Sequence, residues 1–153
     1  MKQRIYIDTS VIGGYFDEEF KDATRDLFQR FENDEITFVI SDLLDLELIG
    51  APKNVRELLN QYPADKFERL ELTDEAVQLA DTYIAEKVVG KTSIEDCRHI
   101  ALAAINKVDV LASWNFKHIV NLDRIKGYNS VNYRFGYPMI EIRSPKDLIH
   151  YED

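Results

Sequence analysis

The stretch RIYIDTS, residues 4–10, decides how the chain is read. Ile5, Tyr6 and Ile7 favour a short buried strand that runs directly into Asp8, with Thr9 and Ser10 behind it. Working outward, ITFVI at 36–40 predicts a second strand, 67–72 a third, 108–112 a fourth and 139–142 a fifth. Helical patterns lie between them. Residues 18–32 place Phe20, Ala23, Leu27, Phe28 and Phe31 on one side, Ser41 caps a helix running to 49, and Pro52 opens another to 61. Thr73 opens a helix with Val77, Ala80, Ile84 and Val88 as its buried stripe, and Thr92 or Ser93 caps one that runs to 106. Gly13-Gly14 reads as a break after the first strand. Strands alternating with helices predict an α/β fold with a mostly parallel sheet covered on both faces. In such sheets, sites form outside the carboxyl ends of the strands. Asp8 stands at one such end and Ser113-Trp114-Asn115 at another.

The 153 residues suit one domain, 1–153, and 45% apolar with 31% charged residues places the chain among globular proteins. No apolar run approaches the roughly 20 residues of a membrane helix, and the first residues lack the long apolar stretch of a secretory signal. Cys97 is the single cysteine, so no intrachain disulfide forms; the expected location is the cytoplasm. The net charge of −9 argues against nucleic-acid binding by the molecule as a whole. Its distribution is uneven, however. Residues 113–146 hold six basic and two acidic side chains, a net of +4, which leaves −13 for the remainder.

Three acids fit a bland core poorly. Glu47 follows Leu43 and Leu44 at helical spacing and so points with the apolar stripe, where a carboxylate costs several kcal/mol unless compensated. A cation is one compensation; a place at the stripe's edge, or an arginine partner, is another. Asp96 borders a stripe of Ile94, Cys97, Ala101, Ala104 and Ile105, and an acid in a first helical turn also favours the macrodipole. Thr92 with Glu95 reads as a capping box, which makes Glu95 structural. Asp8 is either a turn or capping aspartate or a functional carboxylate with hydroxyls to orient it. Three acids on three elements suit a hard cation such as Mg²⁺. His99, His118 and His150 show no ligand-spaced pair, no cysteine–histidine cluster suits zinc, and each histidine reads as structural or solvated. Gly13-Gly14 lacks a phosphate-loop pattern, and Thr9-Ser10 lacks a nucleophile elbow.

At these residues the sequence resembles the PIN-domain family, nearest to its VapC-like toxin ribonucleases. IYIDTSVIGGYF resembles the family's opening strand with Asp8 as first acid, SDLLDLELI the helix with Glu47 as second, and SIEDCRHIALAA the helix with Asp96 as third. VLASWNFKHI resembles the following strand and loop, where many members carry a fourth acid and this chain has Asn115. The resemblance implies a three-layer α/β/α fold and cleavage of RNA phosphodiesters with Mg²⁺ or Mn²⁺. It implies Asp8 and Asp96 as direct ligands, and Glu47 as a ligand or as the group that orients a metal-bound water, with Thr9 and Ser10 in support. It further implies a homodimer and a small antitoxin over the acidic cleft. Asn115 adds no charge, so one metal is expected more than two.

The basic C-terminal third interleaves with Trp114, Phe116, Tyr128, Tyr133, Phe135 and Tyr137, types that contact phosphates and stack on unpaired bases, or else simply form core and solvated surface. Trp114, Lys117 and His118 are the residues expected to meet RNA. Two other readings stand beside the nuclease. One is a catalytically weakened PIN-like module that binds RNA or protein; the other is a phosphatase with Asp8 as nucleophile, disfavoured because Ser10 stands where such enzymes carry a second acid.

Overall fold

In the computed structural model, which describes residues 2–149, strand β1 (Gln3–Ile7) sends Ile5 and Ile7 to one core and Tyr6 to the other. Strand β2 (Ile36–Ser41) divides Phe38 and Ile40 from Val39 in the same way, and β4 (Val110–Ala112) divides Val110 and Ala112 from Leu111. This period of two across three neighbouring strands makes a sheet buried on both faces. With β3 (Glu68–Leu70) and β5 (Ile142–Arg143) the order is β3-β2-β1-β4-β5, and every pairing is parallel. The expectation of an α/β/α fold with a mostly parallel sheet therefore holds.

Helices α1 (Thr9–Gly14), α2 (Lys21–Glu32), α3 (Asp42–Leu48) and α4 (Lys53–Glu57) cover one face, where Leu27, Phe28 and Phe31 pack with Ile5, Ile7 and Phe38. Helices α5 (Asp74–Ala85), α6 (Ile94–Ile105) and α7 (Leu122–Arg134) cover the other. Helix α6 is enclosed on nearly every side, with Cys97 and all of 99–104 buried. No helix among the described residues is long and apolar enough to cross a membrane.

Several local expectations change. Gly13-Gly14 does not break the chain but closes α1. Asp8 starts that helix by accepting the Val11 amide, and Gly14 lies so close to Trp114 that a Cβ there would fall 2.6 Å from Nε1. The helix expected over 52–61 divides into α4 and a 3₁₀ turn at Leu58–Gln61. The buried stripe of α5 is Ala76, Leu79, Ala80 and Tyr83; Val77 and Ile84 flank it, and Val88 is buried beyond the helix end. No Thr92–Glu95 box forms, because α6 starts one residue later at Ser93 and Glu95 turns to Arg98 instead. The last strand shortens to Ile142–Arg143. Helix α7 was not anticipated. Asn121 caps it by accepting from the Asp123 and Arg124 amides, and its buried residues are only Tyr128, Val131 and Asn132.

Candidate functional site

The chain runs outward from β1 to β2 and β3, then returns to the other side of β1 as β4 and β5. The crevice between the carboxyl ends of β1 and β4 is thus the switch point at which open α/β sheets take ligands. Register places the chemistry there. Ile7 pairs with Ala112, so Asp8 and Ser113 leave the sheet side by side.

Asp8 is 5% exposed. Its Oδ1 accepts from Ser10 Oγ at 2.5 Å and from the Val11 amide at 3.3 Å, and its Oδ2 accepts from Ser113 Oγ at 2.6 Å. Burial pushes the carboxyl above its ordinary range, against the lowering effects of His99, Ser10 and Ser113. Ser10 Oγ also accepts the Trp114 amide at 2.8 Å, which locks the loop after β4 onto the start of α1. Ser113 was not singled out from the sequence; the sign of it is a hydroxyl at the end of a strand neighbouring an acid-ended strand.

Asp96, in the first turn of α6, is partly buried. Burial raises its pKa, and the neighbouring Asp8 charge raises it further. Asn115 Nδ2 donates to Asp96 Oδ2 at 3.3 Å, while Asn115 Oδ1 accepts the His118 amide at 2.9 Å. The backbone donor fixes the orientation of the amide, so Asn115 turns its NH₂ toward the acid.

Glu47 reaches His99 from α3: His99 Nε2 donates to Glu47 Oε1, with the two side chains 2% and 33% exposed. Burial works to raise Glu47, but the bond to His99 and its charge prevail and hold the carboxyl below its ordinary value; the Thr9 hydroxyl adds to this without closing a hydrogen bond. For His99, burial works downward and is outdone by Glu47, Asp8 and Asp96, which hold the imidazole above its usual value. His99 is therefore no bland core histidine. It stands three residues after Asp96 on one helix, a spacing that puts both on one face.

Trp114 is a correction. It is core rather than an RNA-facing ring: it stacks on Phe20 at 4.2 Å, and its Nε1 donates to Thr24 Oγ1 at 2.9 Å. Of the other aromatics, Tyr128 is fully buried, whereas Phe116, Tyr133 and Phe135 are exposed. Lys117 is exposed and His118 half-buried beside the Asn115 loop. Arg124, Arg134 and Arg143 are engaged with the Val88 carbonyl, Glu86 and Glu141, respectively. His150 lies outside the described residues.

Among the described residues, no three Asp, Glu, His or Cys side chains stand as a ready-made metal cluster. A hydrated hard cation needs fewer, since Mg²⁺ commonly takes one or two carboxylates and keeps several waters. Asp8 and Asp96 fit that demand: both are oxygen donors, both are raised by burial, and the Asp8 charge makes the ionisation of Asp96 harder still. The buried Thr9 Oγ1, which has no hydrogen-bond partner among the described residues, adds an unused polar atom near Glu47.

No family model and no curated protein matches the chain. Solved structures do. The chain is similar to one in DNA-bound VapBC from Salmonella typhimurium (17% identity, 95% of this chain and 99% of that one, TM-score 0.57). It is similar also to one in FitAcB from Neisseria gonorrhoeae (13%, 93% and 98%, TM-score 0.57). A third likeness is to a chain in a toxin–antitoxin complex from Klebsiella pneumoniae (18%, 74% and 88%, TM-score 0.54). The chain has the PIN-like α/β/α fold that these structures share.

Proposed function

We propose that the protein is a metal-dependent endoribonuclease, the toxin member of a toxin–antitoxin pair or a relative of one. The observation that carries this reading is the pair Asp8 and Asp96, two carboxylates at the switch-point crevice, where Ser113 holds Asp8 and Asn115 holds Asp96, and where burial opposes the ionisation of both. Such a pair repels a phosphodiester unless a cation reverses the local field. A bound Mg²⁺ or Mn²⁺ would supply an activated water and neutralise charge on the phosphate. Asp8 and Asp96 would hold it. Ser10 and Ser113 keep the Asp8 carboxylate in one orientation, and His99 fixes Glu47. Lys117 and His118 follow Asn115 in the same loop, Lys117 exposed and His118 half-buried, and would meet a phosphate backbone passing the crevice.

The fold likeness to VapBC and to a toxin–antitoxin complex supports a small antitoxin as partner. Leu46 and Ile49, neighbours of Glu47 in sequence and 66% and 71% exposed, support a protein covering over this part of the surface. A homodimer belongs to the same proposal.

The test is cleavage of single-stranded RNA with Mg²⁺ or Mn²⁺, comparing the wild type with Asp8→Asn and Asp96→Asn. Metal-dependent cleavage that both variants lose is expected; cleavage that survives in either one sinks the reading. A second reading, a weakened module that binds RNA or protein without cutting, is favoured by Asn115, whose amide hydrogens face Asp96 where a fourth acid would add charge. RNA binding without Asp8-dependent cleavage would select it.

A further inference from the structure

The three acids are not held alike. Asp8 is held by two hydroxyls and an amide, and Asp96 by the Asn115 amide group. Glu47 is held by a ring that is itself fixed at both nitrogens. His99 Nε2 donates to Glu47, and Nδ1 is hydrogen-bonded to the Tyr6 hydroxyl at 2.6 Å. That hydroxyl is in turn bonded to Ser41 Oγ at 2.8 Å. Tyr6 also packs edge-on against the imidazole, with ring centres 5.6 Å apart. Tyr6, Ser41 and His99 are all buried. A closed polar chain thus runs from β2 through β1 and α6 to a single carboxylate on α3.

We propose that His99 is a positioning residue that holds Glu47 back from direct coordination, so that Asp8 and Asp96 take the divalent cation and Glu47 acts one layer further out, on water bound to it. This rests on the metal-dependent reading above. Among the described residues Glu47 does not stand with Asp8 and Asp96 as a ready-made cluster, so to join them as a ligand it would have to move, and moving away from the imidazole leaves a buried N–H without its acceptor. Among the described residues Glu47 is the one hydrogen-bond partner of that nitrogen, and the Tyr6 hydroxyl is committed to the opposite edge of the ring. Two carboxylates and waters already satisfy a hard cation, so nothing compels the exchange.

The experiment is Mn²⁺ binding to the full-length protein by titration calorimetry, run beside the RNA cleavage assay. Asp8→Asn and Asp96→Asn are expected to weaken Mn²⁺ by about 100-fold, and Glu47→Gln by less than about threefold. His99→Asn frees Glu47 to coordinate and is expected to tighten Mn²⁺ by about fivefold, while the double variant Glu47→Gln/His99→Asn returns to the Glu47→Gln value. Tyr6→Phe keeps the ring but releases Nδ1, and shifts affinity the same way by less. A purely structural role for His99 would weaken binding instead. Equal losses in His99→Asn and Glu47→Gln would overturn the proposal by making Glu47 a direct ligand. Should circular dichroism show His99→Asn unfolded, Tyr6→Phe decides, and an unchanged or weakened Mn²⁺ affinity there overturns it too. The expected Mn²⁺ pattern without RNA cleavage supports the His99 assignment and removes only the ribonuclease. No Mn²⁺ binding by the wild type removes both.

Discussion

The Ser113 hydroxyl donates to the Asp8 carboxylate at 2.6 Å across the crevice where the path of the sheet reverses. One short bond therefore joins the first strand's acid to the fourth strand's end. It also explains how a buried carboxylate stays ionisable: hydrogen bonds to the charged form favour it, against the desolvation that raises its pKa.

Replacing Ser113 by alanine is expected to cost about 1.5–3 kcal/mol, the range for a hydrogen bond to a charged group. Cleavage should fall by roughly 10-fold or more, as for a residue that orients a metal-binding side chain. Denaturant unfolding and single-turnover RNA cleavage measure the two losses; full activity with Ser113→Ala would contradict the role given to this bond.

Asp8→Asn is expected to abolish cleavage yet raise the melting temperature at neutral pH. The sign follows from a raised carboxyl pKa. Below about pH 3.9, the ordinary aspartate value, the group is neutral in both states and imposes no penalty. As pH rises, the unfolded chain ionises first, and the penalty on the native state grows until the folded group ionises too. Wild type and variant should therefore melt together in acid and separate toward neutrality, in melts recorded without divalent metal. A variant less stable than the wild type at neutral pH would show that the carboxylate stabilises the fold.

His99 has the opposite dependence. Its folded pKa is raised above the unfolded value of about 6.5. The tie to Glu47 thus contributes fully below that value and is lost as pH climbs through the folded pKa. Thermal melts of the wild type from about pH 6 to about pH 9 should decline, while His99→Asn stays flatter over the same window. Parallel curves would show that the imidazole does not titrate differently on folding.

Gly14→Ala is expected to destabilise the fold by about 1–3 kcal/mol, the usual cost of overpacking. The added carbon would meet Trp114 Nε1 and Cδ1 at 2.6 and 2.7 Å and Thr24 Oγ1 at 2.9 Å. Tryptophan fluorescence reports the same event, because Trp114 is the only tryptophan and is the side chain the new carbon presses on. An unchanged emission spectrum and midpoint would mean that α1 yields instead.

If Lys117 contacts a phosphate, Lys117→Ala should weaken single-stranded RNA binding evenly across sequences and reduce the salt slope of log K by about 0.7. Binding to an uncleavable RNA at several salt concentrations gives that slope. An unaltered slope would place the backbone elsewhere.

The strands were legible because Ile5, Tyr6, Ile7 and ITFVI at 36–40 are β-branched or aromatic and are buried on both faces. Asp8 was legible because it ends such a strand. Ser113 was not, since its role depends on the parallel register that pairs Ile7 with Ala112, and register is a tertiary fact. His99 reads as one more residue in an alanine-rich helix until Tyr6 and Glu47 arrive from other elements. Helix α7 hides behind Gly127, Asn129, Ser130 and Asn132, all weak helix formers. Tertiary contacts override them: Gly127 makes room for Val88, and Asn132 accepts the Tyr83 hydroxyl at 2.5 Å. Trp114 misled because an aromatic beside a polar loop looks like a stacking platform, and only the packing of Phe20 and Thr24 shows it to be covered.

The central place of β1 has a consequence for the order of synthesis. Asp8 and Ser113 are separated by 105 positions, and Asp8 cannot acquire this neighbour until β4 has been made. At about 5–20 residues per second, a ribosome holds the chain in that incomplete state for roughly 5–20 s. Whatever the crevice does, the nascent polypeptide is barred from it until translation has passed Ser113.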